Sequence, residues 1–175
     1  MKVALSGTPG TGKTSVGGAL EGRGHLVVEV NRLAKDRGLL GKADKRRDTR
    51  EVDVASLDKA ISGDEKLKDA ILVGHLSHLL SVDLIVVLRC RPSVLAARLQ
   101  QRGYSKSKVR ENVEAEALDV ILIEAVETGR TVLEVDTTCM GLDEAVDAME
   151  EILAGEREKY AIGHIDWSEE VLGWF

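Results

Sequence analysis

The residues best suited to chemistry stand together in Gly7–Thr14, which reads GTPGTGKT. They fill every fixed position of the spacing Gly-x-x-x-x-Gly-Lys-Ser/Thr, a phosphate-binding loop. A triphosphate has to be wrapped in backbone N–H groups, so the loop must approach it without side chains in the way. Gly7, Gly10 and Gly12 allow that approach and the unusual dihedrals it needs. A helix starting here aims its positive end at the phosphates. Lys13 offers a charge for the outer phosphates, and the Thr14 hydroxyl suits Mg²⁺. Gly10, Thr11, Gly12, Lys13, Thr14 and Ser15 are therefore the candidate ligands of ATP.

Elements that could position this loop follow along the chain. Lys2–Leu5 reads as a buried strand and Ser15–Glu21 as a helix, the context the motif requires. Leu26–Val30 reads as a second strand, followed by a short helix to Arg37 that Asn31 can cap and Gly38 can end. Leu39–Arg50 has no periodicity and carries Lys42, Lys45, Arg46, Arg47 and Arg50, which reads as a mobile polar segment. Ser56 can cap a helix to Ile61. Ala70–Val73 and Leu84–Leu88 are the third and fourth strands. Pro92 opens a helix to Gln101, and Gly103 breaks it. A long helix is predicted over 106–127, a fifth strand over 131–135 and an amphipathic helix over 142–153. This alternation predicts an α/β fold: a three-layer α/β/α P-loop nucleoside triphosphate hydrolase domain with about five parallel strands, spanning residues 1–175.

Composition excludes several alternatives. The net charge of −6 argues against a general nucleic-acid binder. No apolar run is long enough to span a membrane, and the chain opens directly on its first strand, so a cytoplasmic protein is expected. Cys90 and Cys139 are far apart and read as small core residues in a reducing compartment. From Gly141 to Phe175 there are ten acidic and two basic residues, leaving the rest of the chain slightly basic. The same stretch holds Tyr160, Trp167, Trp174 and Phe175, with Tyr104 the one aromatic before it. Such aromatics are costly to leave in water, so this tail (155–175) is expected to dock on the body or on a second chain.

An Asn-Lys-x-Asp guanine reader is absent, and the chain is short for a motor or transporter. A small kinase fits better, with an acceptor-binding excursion over 31–54 and a lid over 102–110. The residues GTPGTGKTS (7–15), GHLSHL (74–79), VVLR (86–89) and LAARLQQRGYSKSKVRENVEAE (95–116) resemble the adenylate kinase isoenzyme 6 family, the coilin-interacting nuclear ATPase proteins, in its archaeal branch. GHIDWSEE (163–170) is similar to that branch as well. The resemblance covers about residues 1–154. It implies phosphate transfer from ATP to AMP, ATPase activity, and assistance to small ribosomal subunit maturation through a basic platform protein and rRNA.

Roles follow for single residues. Arg98 and Arg102 lie one helical turn apart at the edge of the lid, where guanidinium groups can hold migrating phosphate charge and stack on adenine. The bland alternative is two surface arginines in salt bridges. The resemblance makes Arg102 an ATP contact. His75 follows a strand at the carboxyl edge of the sheet, where ligands collect, and matches the histidine of the family's acid-x-His centre. His78 reads as structural. The acidic position of that centre falls on Val73, which implies weaker Mg²⁺ dependence and slow turnover. Asn31 and Lys35 match family positions near AMP, and Lys35 offers a point charge where an arginine fork is expected. Gly74 belongs with His75 on the acceptor side. Asp53 reads either as an acceptor contact or as a helix start. The loop at Asp136, Thr137 and Thr138 reads either as a donor-adenine contact or as a buried turn. The basic segment 42–50 reads as a solvated loop or as a contact for nucleotide phosphate or rRNA. A kinase for a small metabolite fits the same fold.

Overall fold

The computed structural model describes residues 1–44 and 49–174, with the backbone alone described at 40–44 and 49–51. Five strands form one parallel sheet: β1 (Val3–Ser6), β2 (Val27–Glu29), β5 (Ile71–Val73), β6 (Leu84–Arg89) and β7 (Thr131–Asp136). Their spatial order is β2-β5-β1-β6-β7. β1 and β6 are apolar on both faces because helices cover both. Val3, Leu5, Val86 and Leu88 pack against α1 (Lys13–Gly22) and α7 (Leu142–Ala154). The alternate residues Ala4, Ile85 and Val87 pack toward α2 (Val30–Asp36), α3 (Val54–Ser62) and α6 (Val120–Glu127). α4 (Pro92–Gln101) and α5 (Lys106–Ala117) close a third apolar cluster through Leu95, Leu99 and Val109. The three-layer expectation holds, and the chain order of the sheet puts the β1–α1 loop at its middle.

Several local expectations change. The basic stretch is not irregular where it is described: β3 (Leu40–Asp44) and β4 (Thr49–Val52) form an antiparallel pair with a bulge between Leu40 and Ala43. Charged residues at strand positions hid the pattern, since they interrupt the alternation by which a strand is read. Arg46 and Arg47 lie outside the described residues. Asn31 does not cap α2. The chain turns from β2 straight into the helix, and Glu29 holds the cap position without a side-chain bond. Asp53, not Ser56, caps α3, its Oδ1 accepting from the Ser56 N–H at 3.0 Å. The long helix over 106–127 is broken in two. Asp119 stands between α5 and α6 in the left-handed region (φ 55°), and its carboxylate pairs with Arg89. That ion pair holds a conformation a non-glycine residue otherwise avoids. Cys90 is buried as expected, but Cys139 is exposed.

The tail docks on the body of its own chain. Ala161 bridges to Leu133 on β7, and Tyr160 is buried with its hydroxyl donating to Glu151 at 2.6 Å. Trp167, at the cap position of α8 (Ser168–Leu172), is buried, whereas Trp174 is 45% exposed. Phe175 lies outside the described residues.

Candidate active site

The phosphate-binding loop is shaped by where a side chain could not fit. Gly7 has φ 137°, and a Cβ there would lie 2.4 Å from the Leu88 carbonyl oxygen, so the loop is pressed onto β6. A Cβ on Gly10 would meet the Leu95 side chain at 2.8 Å, so α4 floors the loop from the other side. The Thr8 carbonyl gathers the loop inward. It accepts from the Thr11 N–H at 3.2 Å, the Thr11 hydroxyl at 3.0 Å and the Lys13 ammonium at 2.9 Å. Lys13 is buried, and burial lowers its pKa to about 7, with Glu116 opposing that shift and Arg102 adding to it. Thr14 and Ser15, at the exposed start of α1, complete the predicted ligand set.

Beneath the loop lies a charge cluster. The Thr8 hydroxyl donates to Glu116 Oε2 at 2.6 Å, and Glu116 Oε1 accepts from Arg89 Nε at 2.8 Å and from the Cys90 N–H at 3.1 Å. Arg89 also donates to Glu134 at 2.9 Å and to Asp119. Its guanidinium lies 5.8 Å from the Trp167 ring centroid. Glu134 in turn accepts from the Gly163 N–H at 2.8 Å. One buried arginine therefore joins the loop, the α5–α6 break and the tail. Burial also drives the neighbouring Cys90 thiol up to about 11, so it stays protonated.

On the donor side, Arg98 and Arg102 do share a face, and they do different work. Arg98 is half-buried and donates to the Thr137 carbonyl at 2.7 Å, tying α4 to the loop after β7. Arg102 is exposed at the end of α4. Thr137 is both a buried turn and a groove residue: its hydroxyl lies 2.9 Å from the carbonyls of Thr11 and of Arg89. Gly10, Thr11, Gly12, Ser15, Arg98, Arg102, Thr137, Met140 and Leu142 line a groove of about 320 Å³. Met140 and Leu142 were missed in the sequence because the loop before α7 and the first residue of that helix carry no motif.

A cleft of about 1160 Å³ opens from the same loop. It brings Gly10, Gly12, Lys13, Thr14, Asn31, Gly74, His75 and Arg102 together with Glu29, Val73, Tyr104 and Asn112. His75 is half-buried, and burial, reinforced by the Lys13 charge, holds its imidazole below the usual value. His78 is fully buried between the Ser6 hydroxyl at 2.8 Å and Glu124 at 3.1 Å, as a structural residue should be. Two predicted acceptor residues do not reach the cleft lining: Lys35 is exposed one turn beyond Asn31, and the Asp53 carboxylate is spent on its helix cap. Glu116 was also missed as a site residue, because its partners are distant in sequence.

The fold and the loop define a P-loop nucleotide-binding domain. Residues 3–119 match the family model described as an AAA domain, and the chain belongs to that family. A protein of Archaeoglobus fulgidus named "Putative adenylate kinase" is 46% identical over 98% of this chain and 94% of its own length. A protein of the same name from Thermococcus onnurineus is 43% identical over 97% of this chain and 93% of its own. Among solved structures, a shikimate kinase from Acinetobacter baumannii superposes with a TM-score of 0.62 at 12% identity, over 90% of this chain and 94% of that one. A deoxyadenosine kinase from M. mycoides superposes with a TM-score of 0.57 at 14% identity, over 88% of this chain and 99% of that one. These two likenesses concern the fold.

Proposed function

We propose that the protein is an ATP:AMP phosphotransferase with ATPase activity, of the adenylate kinase isoenzyme 6 type. One observation carries the reading. The cleft on the phosphate loop is continuous from the donor residues Lys13 and Arg102 to the acceptor residues Asn31, Gly74 and His75. Its volume, about 1160 Å³, exceeds the range for a single small ligand, about 300–1,000 Å³, and suits two substrates in contact. The names of the archaeal relatives support the same reaction.

The residues divide the work by position. Phosphoryl transfer asks little covalent chemistry of a protein; it asks for alignment, exclusion of water and neutralised charge. The loop N–H groups cradle the donor phosphates. Lys13 exchanges the Thr8 carbonyl for a phosphate oxygen and regains full charge there. Arg98 and Arg102 flank the donor groove, Arg98 fixed by Thr137 and Arg102 free to swing over the base. His75, neutral at physiological pH, can accept a hydrogen bond from an attacking water or orient the acceptor phosphate. Among the described residues no group of three His, Cys, Asp or Glu side chains could hold a metal unaided. The donors present are hard oxygens, which fits Mg²⁺ brought in by the nucleotide and shared with the Thr14 hydroxyl and water. When bound, Mg²⁺ neutralises charge on the donor phosphates.

The test is ADP formation from ATP and Mg²⁺ with and without AMP, using Lys13→Ala as the blank. A large AMP-dependent rise is expected. A second reading is favoured by Lys35, which stands clear of the cleft and leaves the acceptor phosphate without its expected clamp. In it, the protein is an ATP-switched assembly factor, released from a basic ribosomal protein or rRNA by hydrolysis, with the acidic C-terminal surface as its docking face. Slow ATP hydrolysis indifferent to AMP would make that reading the primary one.

A further inference from the structure

The centre implied by the sequence lacks a carboxylate, because Val73 stands where an acid is expected. The structure offers another one a strand away. β2 pairs with β5 in parallel, and the register sets Glu29 beside Val73. Register partners in a parallel pair present their side chains to the same face. That face is fixed by α1: a Cβ built on Gly17 would lie 2.9 Å from the Val73 side chain and 3.5 Å from that of Val27. Glu29 is two residues beyond Val27, so it faces α1 as well, one step nearer the carboxyl edge of the sheet. α1 runs back from that edge, and Thr14 lies about one turn before Gly17. Glu29 and Thr14 therefore stand at the same level, and both are exposed and line the cleft with Lys13 and Val73.

The other acids near the loop are committed elsewhere. Glu116 is buried on Arg89 and Thr8, and Glu111 pairs with Lys108 at 3.5 Å on the lid helix. Among the described residues, Glu29 has no ion pair of its own.

Resting on the phosphotransferase reading above, we propose that Glu29 is the positioning carboxylate of the Mg²⁺–nucleotide site, facing Thr14 across the cleft and accepting hydrogen bonds from the ion's water shell. The carboxylate then stands at the end of β2, beside the β5 position where a valine packs α1. Mg²⁺ dependence is then retained, contrary to what Val73 alone implies.

The experiment is calorimetric titration of ATP into the full chain, with Mg²⁺ and with EDTA. The readout is the gain in affinity that the metal confers. Outer-shell partners of a metal typically carry about 10–100-fold in affinity. Glu29→Gln should lower the metal-conferred gain about 10-fold without weakening binding in EDTA, where loss of a negative charge beside the phosphates can only help. Adding Val73→Asp to Glu29→Gln should restore the gain, because it returns a carboxylate to the same face of the neighbouring strand. Glu29 is exposed, so the variant is expected to fold; matching circular dichroism and thermal transitions check this. A Glu29→Gln protein with the wild-type gain would overturn the proposal. Failure of the underlying reading looks different: ATP binding in EDTA would then be insensitive to Lys13→Ala.

Discussion

At the scale of single residues, the Lys13 ammonium is the group whose chemistry is most changed by the fold. Burial lowers its pKa to about 7, against about 10.4 for a free lysine. The unfolded chain therefore binds more protons than the folded one between those values. Stability of the nucleotide-free protein should rise as pH climbs from about 7 to about 10 and be flat on this account below pH 7. Urea midpoints across pH 6–10, compared with Lys13→Met, check the sign. A bound phosphate reverses the preference, since an anion beside the amine favours its charged form. ATP binding at pH 8 should then take up close to one proton, read from calorimetry in buffers of differing ionisation heat, and Lys13→Met should abolish the uptake. The loop with Lys13 and Thr14, and the presence of Arg102 on the same cleft, were legible in the sequence because these positions follow from local spacing. Glu29 and Glu116 were not. Glu29 gains meaning through the register of a neighbouring strand, and Glu116 through partners 27 and 108 residues away.

At the scale of elements, the informative failures are the broken helix and the mistaken caps. Nothing in SKSKVRENVEAEALDVILIEAVE marks a stop, because Asp119 breaks the helix through a tertiary ion pair rather than through local preference. Arg89 is the cause. It is fully buried and neutralises Glu116 and Glu134, which are buried with it. Removing one partner from such a cluster strands the others without compensation, at a cost of about 3–5 kcal/mol. Arg89→Met should therefore lower unfolding free energy by about that amount in urea titrations. It should also loosen the hold of Glu116 on Thr8, so ATP affinity should fall even in the folded fraction. Asp119→Gly, by contrast, relieves the left-handed backbone while losing only a partly exposed partner. Its stability change should be far smaller than that of Arg89→Met in the same titration. The strands were readable because parallel strands covered on both faces are continuous apolar runs, and the β3–β4 ribbon was not, because LGKAD and TREV contain no such run.

At the scale of the whole molecule, the tail is tied to the phosphate loop and is not an appendage. Its contacts run inward by one unbroken chain: the Gly163 N–H to Glu134, Glu134 to Arg89, Arg89 to Glu116, and Glu116 to the Thr8 hydroxyl of the phosphate loop. Trp167 lies against Arg89 at the centre, with its indole N–H buried and without a hydrogen-bond partner among the described residues. The sequence foretold that these aromatics would seek cover, and it was silent on where, since the cover is assembled from β6, β7 and α5. The two tryptophans should separate by spectroscopy. Trp174 is 45% exposed and Trp167 is 8% exposed, so iodide should quench only part of the native emission. Trp174→Phe should leave a blue-shifted, shielded signal. Trp167→Phe should leave a red-shifted signal that iodide quenches fully. Trp167→Ala removes a large buried ring, which typically costs about 3–5 kcal/mol. If the tail holds the loop through Arg89, that variant should also bind ATP more weakly at temperatures where it remains folded. Unchanged nucleotide affinity in a destabilised but folded Trp167→Ala protein would instead confine the tail to a structural role.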